Sequence, residues 1–468
     1  MISSRPLFRL TLLLLVLVVS ACSTPPDITN VGTPTLLPRV TQNVPTDTPA
    51  PAVSTLKVDP NNLRGTQISV WHPWFGTEAS LFETQVAKFN SENEWGIVVN
   101  AQGKGNFSEL FSQTSTALEN RSNPQVVIAL PEQIFSWGDK VVDLNPYVND
   151  PVYGLRPGDV LDFPPVIWDQ ESLDGKRFGV PAERTARFLL YNQTWARELG
   201  FTTPPATSAD FEKQACAAHR ALGSDADPDN NALGGWIIDT NPMTALSWML
   251  AFGGGAQEES GYRFLTPGNI AAFKFVKNLQ TKGCAWVPSP DLSLYDRFAT
   301  RQALFATASL GELPDQARAF LASGSQDEWT VLPFPGEKQT AFALYGSSYA
   351  VLDTDDVNRL ASWLFIRWML SPENQAGWVK STDLFPLRTS TMNLLADYVA
   401  GHPQWAAAVK MLPEGKRSPQ LASWRIVRTM LGDGFSDMFD TIRHPDLTEG
   451  QVPLILREMD ATVTDLSK

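Results

Sequence analysis

The stretch "PWFGTE", Pro73 to Glu78, sets the indole of Trp74 four residues from the carboxylate of Glu78. A flat apolar face beside a hydrogen-bond acceptor is a combination that could contact a small polar solute. A second stretch, "ALYGSSYAVL", offers Tyr345, Gly346, Ser347 and Ser348, hydroxyls on a backbone that glycine lets approach a ligand closely. "DADPDNNALGG" places Asp225, Asp227 and Asp229 at alternate positions with Asn231 two further on, a spacing used by calcium loops. Yet the sixth position would be Asn230 instead of glycine, and the twelfth Trp236 instead of a carboxylate. A solvated acidic turn is expected there, and no metal site. His72, His219, His402 and His444 are scattered, and there is no HExxH, GxSxG, Walker or Rossmann glycine signature.

The elements that must position these groups can be read from periodicity. "TQISVWHPW" alternates as a strand, and "ASLFETQVAKFNSEN" carries Leu81, Phe82, Val86 and Phe89 at helical spacing. "WGIVVNAQ", "NFSELFSQTSTALENR" and "PQVVIAL" continue as strand, helix and strand. This order predicts a parallel sheet with covering helices, whose ligands gather at the carboxyl ends of the strands. The loops from Trp74 to Glu78 and after Leu130 are therefore the expected walls of a site. The middle of the chain repeats the alternation less regularly, and "NRLASWLFIRWMLSPENQAGWVK" reads as a helix that breaks and restarts at Pro372.

The chain of 468 residues is long enough for two lobes. Its net charge is -13, and loss of a leader containing Arg5 and Arg9 leaves -15, which argues against nucleic acid and anionic lipid as partners. The leader itself has an apolar core from Leu10 to Val19, too short to span a bilayer comfortably. It ends in "VSAC", which resembles the bacterial lipobox, so Cys22 is expected to be lipidated as the mature N-terminus after residues 1–21 are removed. From Ser23 to Arg64 come eight prolines and eight threonines without periodicity, and residues 22–64 read as a lipidated end with a disordered tether. Cys216 and Cys284 remain; export permits a disulfide between them, two unlinked buried thiols being the other reading.

Five segments, taken in order, resemble a known family: "ISVWHPWFGTEASLFETQVAKFN", "LDGKRFGVPAERTARFLLYNQTWARELG", "YRFLTPGNIAAFKFVKNLQTKG", "ALFATASLGELP" and "SSYAVLDTDDVNRLASWLFIRWMLSPENQAGWVKSTDLFPLR". The body from about Gly65 to Ala422 is similar to the extracellular solute-binding proteins of ABC importers. The resemblance is to the carbohydrate-binding group that includes maltose-, oligosaccharide- and sn-glycerol-3-phosphate-binding proteins, and "GKGNFSEL" leans toward the last.

The resemblance implies an α/β fold of two lobes with the ligand in a cleft between them and hinge crossings near Ala182, Pro335 and Phe385. Lobe 1 would hold residues 65–182 and 336–384, and lobe 2 residues 183–335 and 385–468, so that a Cys216–Cys284 bridge would staple lobe 2 alone. Carried over residue by residue, Glu183 and Arg184 fall where the family lines its cleft. Ser309 and Glu312 fall in another cleft segment, and Arg388 sits where an arginine holds phosphate; Trp248, read from its residue type alone, could be a stacking platform from lobe 2. With Trp74, Glu78, Tyr345, Gly346 and Ser347 these make the expected ligand-binding set. The implied role is capture of a carbohydrate or related polyol by a monomeric lipoprotein on the outer face of the cytoplasmic membrane. It would reach the membrane through its lipid only, deliver its solute to ABC permease subunits, and need no cofactor. A secreted glycoside hydrolase with two facing carboxylates, or a sugar sensor or adhesion lipoprotein on the same fold, are the alternatives.

Overall fold

Alternation in "QISVWH" buries Ile68, Val70 and His72 on one face, and that strand, Gln67–His72, lies inside the first of two main sheets. In a computed structural model, which describes residues 52–259, 261–289 and 293–466, the sheet order is Val98–Gly103, Gln67–His72, Val126–Ala129, Ser348–Val351, Val180–Pro181. The first three run parallel; Ser348–Val351 is antiparallel to both of its neighbours. All four residues of Val126–Ala129 are buried, as expected of a strand covered on both faces. Helix Gly76–Glu92 packs on the sheet through Phe82, Gln85, Val86 and Phe89, a stripe at positions i, i+3, i+4 and i+7. Helix Phe107–Glu119 begins with a capping box. The Asn106 side chain accepts from the Ser108 and Glu109 amides, and Glu109 accepts from the Asn106 amide. Within "GKGNFSEL", then, Asn106 and Glu109 serve the helix start.

The second sheet runs Ala285–Trp286, Trp236–Ile237, Phe305–Ser309, Thr185–Asn192, Thr340–Tyr345, Phe334–Pro335. Trp329–Leu332 pairs with the long strand Thr185–Asn192, and Gly415–Arg417 with Thr340–Tyr345. No helix among the described residues is long and apolar enough to cross a membrane. Cys216, on helix Ser208–Leu222, is bonded to Cys284 just before strand Ala285–Trp286, and the bridge lies wholly beside this second sheet.

Two expectations are corrected. Pro335 does not return the chain to the first body, because Phe334–Pro335 and Thr340–Tyr345 pair with each other and Thr340–Tyr345 pairs with Thr185–Asn192; the return comes at Gly346 and Ser347. Nor does the folded body wait until Gly65. The Asp150 carboxylate accepts from the Ser54 hydroxyl and the Thr55 amide, and Leu63 is fully buried at the end of a 3-10 turn, Pro60–Leu63. Proline and threonine content misled here because docking through one carboxylate needs no periodicity. The leader, Cys22 and the tether up to Pro51 lie outside the described residues.

Candidate functional site

The crossing between the sheets, Ala182 to Arg184, is extended chain in which adjacent side chains face opposite ways. Glu183 turns toward the loop after the first strand, where its carboxylate accepts a 3.2 Å hydrogen bond from the Trp74 indole. Trp74 is in turn held by Trp378, with ring centroids 4.5 Å apart, and by Phe82 at 5.0 Å. Phe75, the next residue, is 75% exposed at the start of helix Gly76–Glu92. Glu78 occupies the first turn of that helix, and burial pushes its carboxyl up. Burial, joined by the Glu78 carboxylate, pushes Glu183 up to about 7. His72 is buried behind Trp74, and burial drives its imidazole down to about 4, which keeps it neutral.

Two positions beyond Thr185 on the crossing strand, Arg187 faces the second wall. Its guanidinium pairs with Asp239 at 2.7 Å and Glu312 at 3.2 Å. Burial raises the Glu312 carboxyl, but Arg187 and the Ser309 amide outweigh it and leave it below the usual range. The Tyr295 hydroxyl donates to Glu312 as well, at 3.3 Å. Tyr345 ends its strand beside this group, and burial pushes its phenol up to about 12. Gly346, at φ +153°, leaves no room for a side chain, since a Cβ would stand 2.2 Å from the Glu183 carbonyl oxygen.

Tyr345 and Gly346 also line a cavity between the two bodies. Its other walls include Glu132, just after Leu130, Gln420 before helix Trp424–Asp437, and Trp424 and Arg428 within that helix. Glu132 is 5% exposed, and burial raises its carboxyl in spite of Arg428 nearby.

The structure thus gathers Trp74, Glu78 and Glu183 on one wall, Ser309, Glu312 and Tyr345 on the other, and Gly346 and Ser347 at the crossing. Three expected contacts are corrected. Arg184 is fully buried, ion-paired to the equally buried Glu171 and donating to the Glu183 and Ser347 carbonyls at 2.7 and 2.6 Å. Trp248 is also fully buried, its ring among Phe211, Trp236, Phe275 and Phe334 inside the second body. Arg388 is 8% exposed and already spends its guanidinium on Asp159 and Asp162, both at 2.7 Å. The acidic turn around Asp225 folds on itself: Asp225 accepts from the Asp227 amide and the Asn230 side chain, and Asp227 from the Asp229 amide. Among the described residues no group of three or more His, Cys, Asp or Glu could hold a metal ion.

Sequence reading missed Arg187, Asp239, Tyr295, Trp378, Trp424 and Arg428. Arg187 was within reach, because strand alternation puts it on the face opposite Arg184. Trp424 and Arg428 lie beyond Ala422, where the resemblance ended, and carry no local mark.

A profile described as bacterial extracellular solute-binding protein matches residues 84–413. A putative binding protein of Brucella abortus is 22% identical over 376 residues, covering 78% of this chain and 86% of the relative. The sugar-binding protein MalE of Xanthomonas citri superposes with a TM-score of 0.73 at 21% identity, over 86% of this chain and 98% of that one. UgpB of Mycobacterium tuberculosis, solved with glycerophosphocholine, gives 0.65 at 18% identity, over 86% and 100%. At these identities the solved structures establish a shared two-lobe fold.

Proposed function

The chain belongs to the family of bacterial extracellular solute-binding proteins, and from that premise we propose that it captures a neutral carbohydrate or related polyol in the cleft and passes it to an ABC importer. The observation that carries the reading is the composition of the walls. The Trp74 and Trp378 indoles, 5% and 4% exposed, pack on each other and back Glu183, while Glu78, Glu183, Asp239, Glu312 and the two tyrosines supply acceptors and donors for hydroxyl edges. Four guanidiniums along and around the cleft are committed to carboxylates, Arg184 to Glu171, Arg187 to Asp239 and Glu312, Arg388 to Asp159 and Asp162, and Arg428 to Glu132, while Arg425 lies over the Phe111 ring. A phosphate would meet paired arginines and excess negative charge, which favours the neutral sugar over the glycerol phosphate branch.

Lipidation at Cys22 would keep the protein beside its permease on the outer face of the cytoplasmic membrane, as a monomer. A thermal-shift panel of mono-, di- and oligosaccharides plus glycerol-3-phosphate tests the solute class. A saccharide at roughly 100 times its Kd should stabilise by about 2.7 kcal/mol. Stabilisation by glycerol-3-phosphate alone would overturn the neutral-solute reading. Release of reducing ends with turnover from any saccharide would replace binding by hydrolysis.

A further inference from the structure

Arg428 reaches from helix Trp424–Asp437 of the second body to Glu132 on helix Pro131–Ser136 of the first, with a guanidinium nitrogen 3.3 Å from the carboxylate. The two side chains differ in freedom: Arg428 is 24% exposed and Glu132 only 6%. The Glu132 oxygen facing Arg428 has no hydrogen-bond partner, so the pair is a charge contact that leaves an acceptor open. Around the pair stand Trp424, Tyr345, Gly346 and Gln420, and the space left among them is about 20 Å³. That is room for about one water, whereas solute pockets run to roughly 300–1,000 Å³.

The bodies are fastened at this edge by other contacts. The Gln420 side-chain amide donates to the Asp169 and Gln170 carbonyls at 2.8 and 2.9 Å, and the Arg425 guanidinium lies 5.0 Å over the Phe111 ring. The group that can leave without unpacking either body is the Arg428 side chain, long, flexible and partly in solvent. Resting on the saccharide reading above, we propose that Arg428 is a stopper that limits solute length. The end of a bound solute enters this part of the cleft by turning Arg428 off Glu132 and offering a hydroxyl to the open carboxylate oxygen.

The separation is lopsided, and this sets the specificity. Arg428 regains water when it swings out, but the buried Glu132 has to find a new donor, take up a proton or remain a desolvated charge. Short solutes that stop before the pair leave it intact. Longer ones must displace it and bind less tightly for that reason, so Arg428 determines how many sugar units the site accepts.

The test uses the purified full-length chain, linear maltooligosaccharides of increasing length as probes, and binding measured by calorimetry. The wild type is expected to lose affinity with length. Arg428→Ala should recover the longer members by about tenfold relative to the shortest, and Arg428→Lys, which keeps a charge to pair with Glu132, should stay near the wild type. The same length profile in wild type and Arg428→Ala overturns the proposal. Hydrogen exchange without any solute supplies a second arm: the Gln133 and Ile134 amides should exchange several-fold faster in Arg428→Ala, and unchanged exchange counts against the stopper. If no saccharide binds either protein, the carbohydrate reading fails, while the exchange arm still decides whether Arg428 holds Glu132 and its helix in place.

Discussion

The Trp74 indole nitrogen stands 3.2 Å from a Glu183 carboxylate oxygen, so the loop after the first strand and the first crossing between the sheets meet through one hydrogen bond. Because Glu183 shares this pocket with Glu78, its proton is tied to the state of the cleft.

Stability should therefore depend on Glu183 near neutral pH. Its folded pKa, about 7, lies above the ordinary value of 4.5, so the folded state holds a proton that the unfolded state has released. Stability contributed by that proton is present below about pH 4.5 and is lost as pH rises to about 7. Urea unfolding across this range should show the wild type losing stability relative to Glu183→Gln as pH rises. Parallel curves would show that Glu183 titrates normally.

Arg184 and Glu171 form a buried pair at the crossing. Arg184→Met leaves the Glu171 carboxylate buried and uncompensated, and should destabilise by about 3–5 kcal/mol, whereas Arg184→Met combined with Glu171→Leu should recover most of it. Denaturant midpoints check this. A single variant with wild-type stability would mean that the pair is solvated.

The bridge from Cys216 to Cys284 spans 68 residues within the second body. Replacing both cysteines by serine should cost about 4 kcal/mol on chain-entropy grounds. Solute affinity at a temperature where the variant is folded should stay the same, because neither residue reaches the cleft. A free-thiol count on the non-reduced protein shows whether the bridge is formed.

Arg388 holds Asp159 and Asp162 together with the chain turn at Ser390, whose amide donates to Asp162 at 2.8 Å. Arg388→Ala should lower the melting temperature by leaving Asp162 without its cation and Asp159 with Arg156 alone, while saccharide affinity is unchanged. Loss of binding with the fold intact would restore Arg388 to the ligand set.

The alternation of period two in "QISVWH" followed by a helical stripe from Phe82 to Phe89 was enough to locate the loop that carries Trp74 and Glu78, because both periodicities are local consequences of burying one face. The same local logic marked the strand, helix, strand order of the first body. The export expected from the leader also left Cys216 and Cys284 free to pair. Tertiary structure decided the rest. Glu183 and Arg184 are neighbours in sequence, yet one faces the cleft and the other is buried against Glu171, and only the packing of Ser347 and Ile167 around the guanidinium chooses between them. Whether Thr340–Tyr345 joins the first sheet or the second is a matter of which strand edge it meets. The approach of Arg428 to Glu132 joins two distant segments whose local sequence carries no trace of the other. Pairing of that kind is set by how whole bodies fold and dock, so no spacing along the chain encodes it.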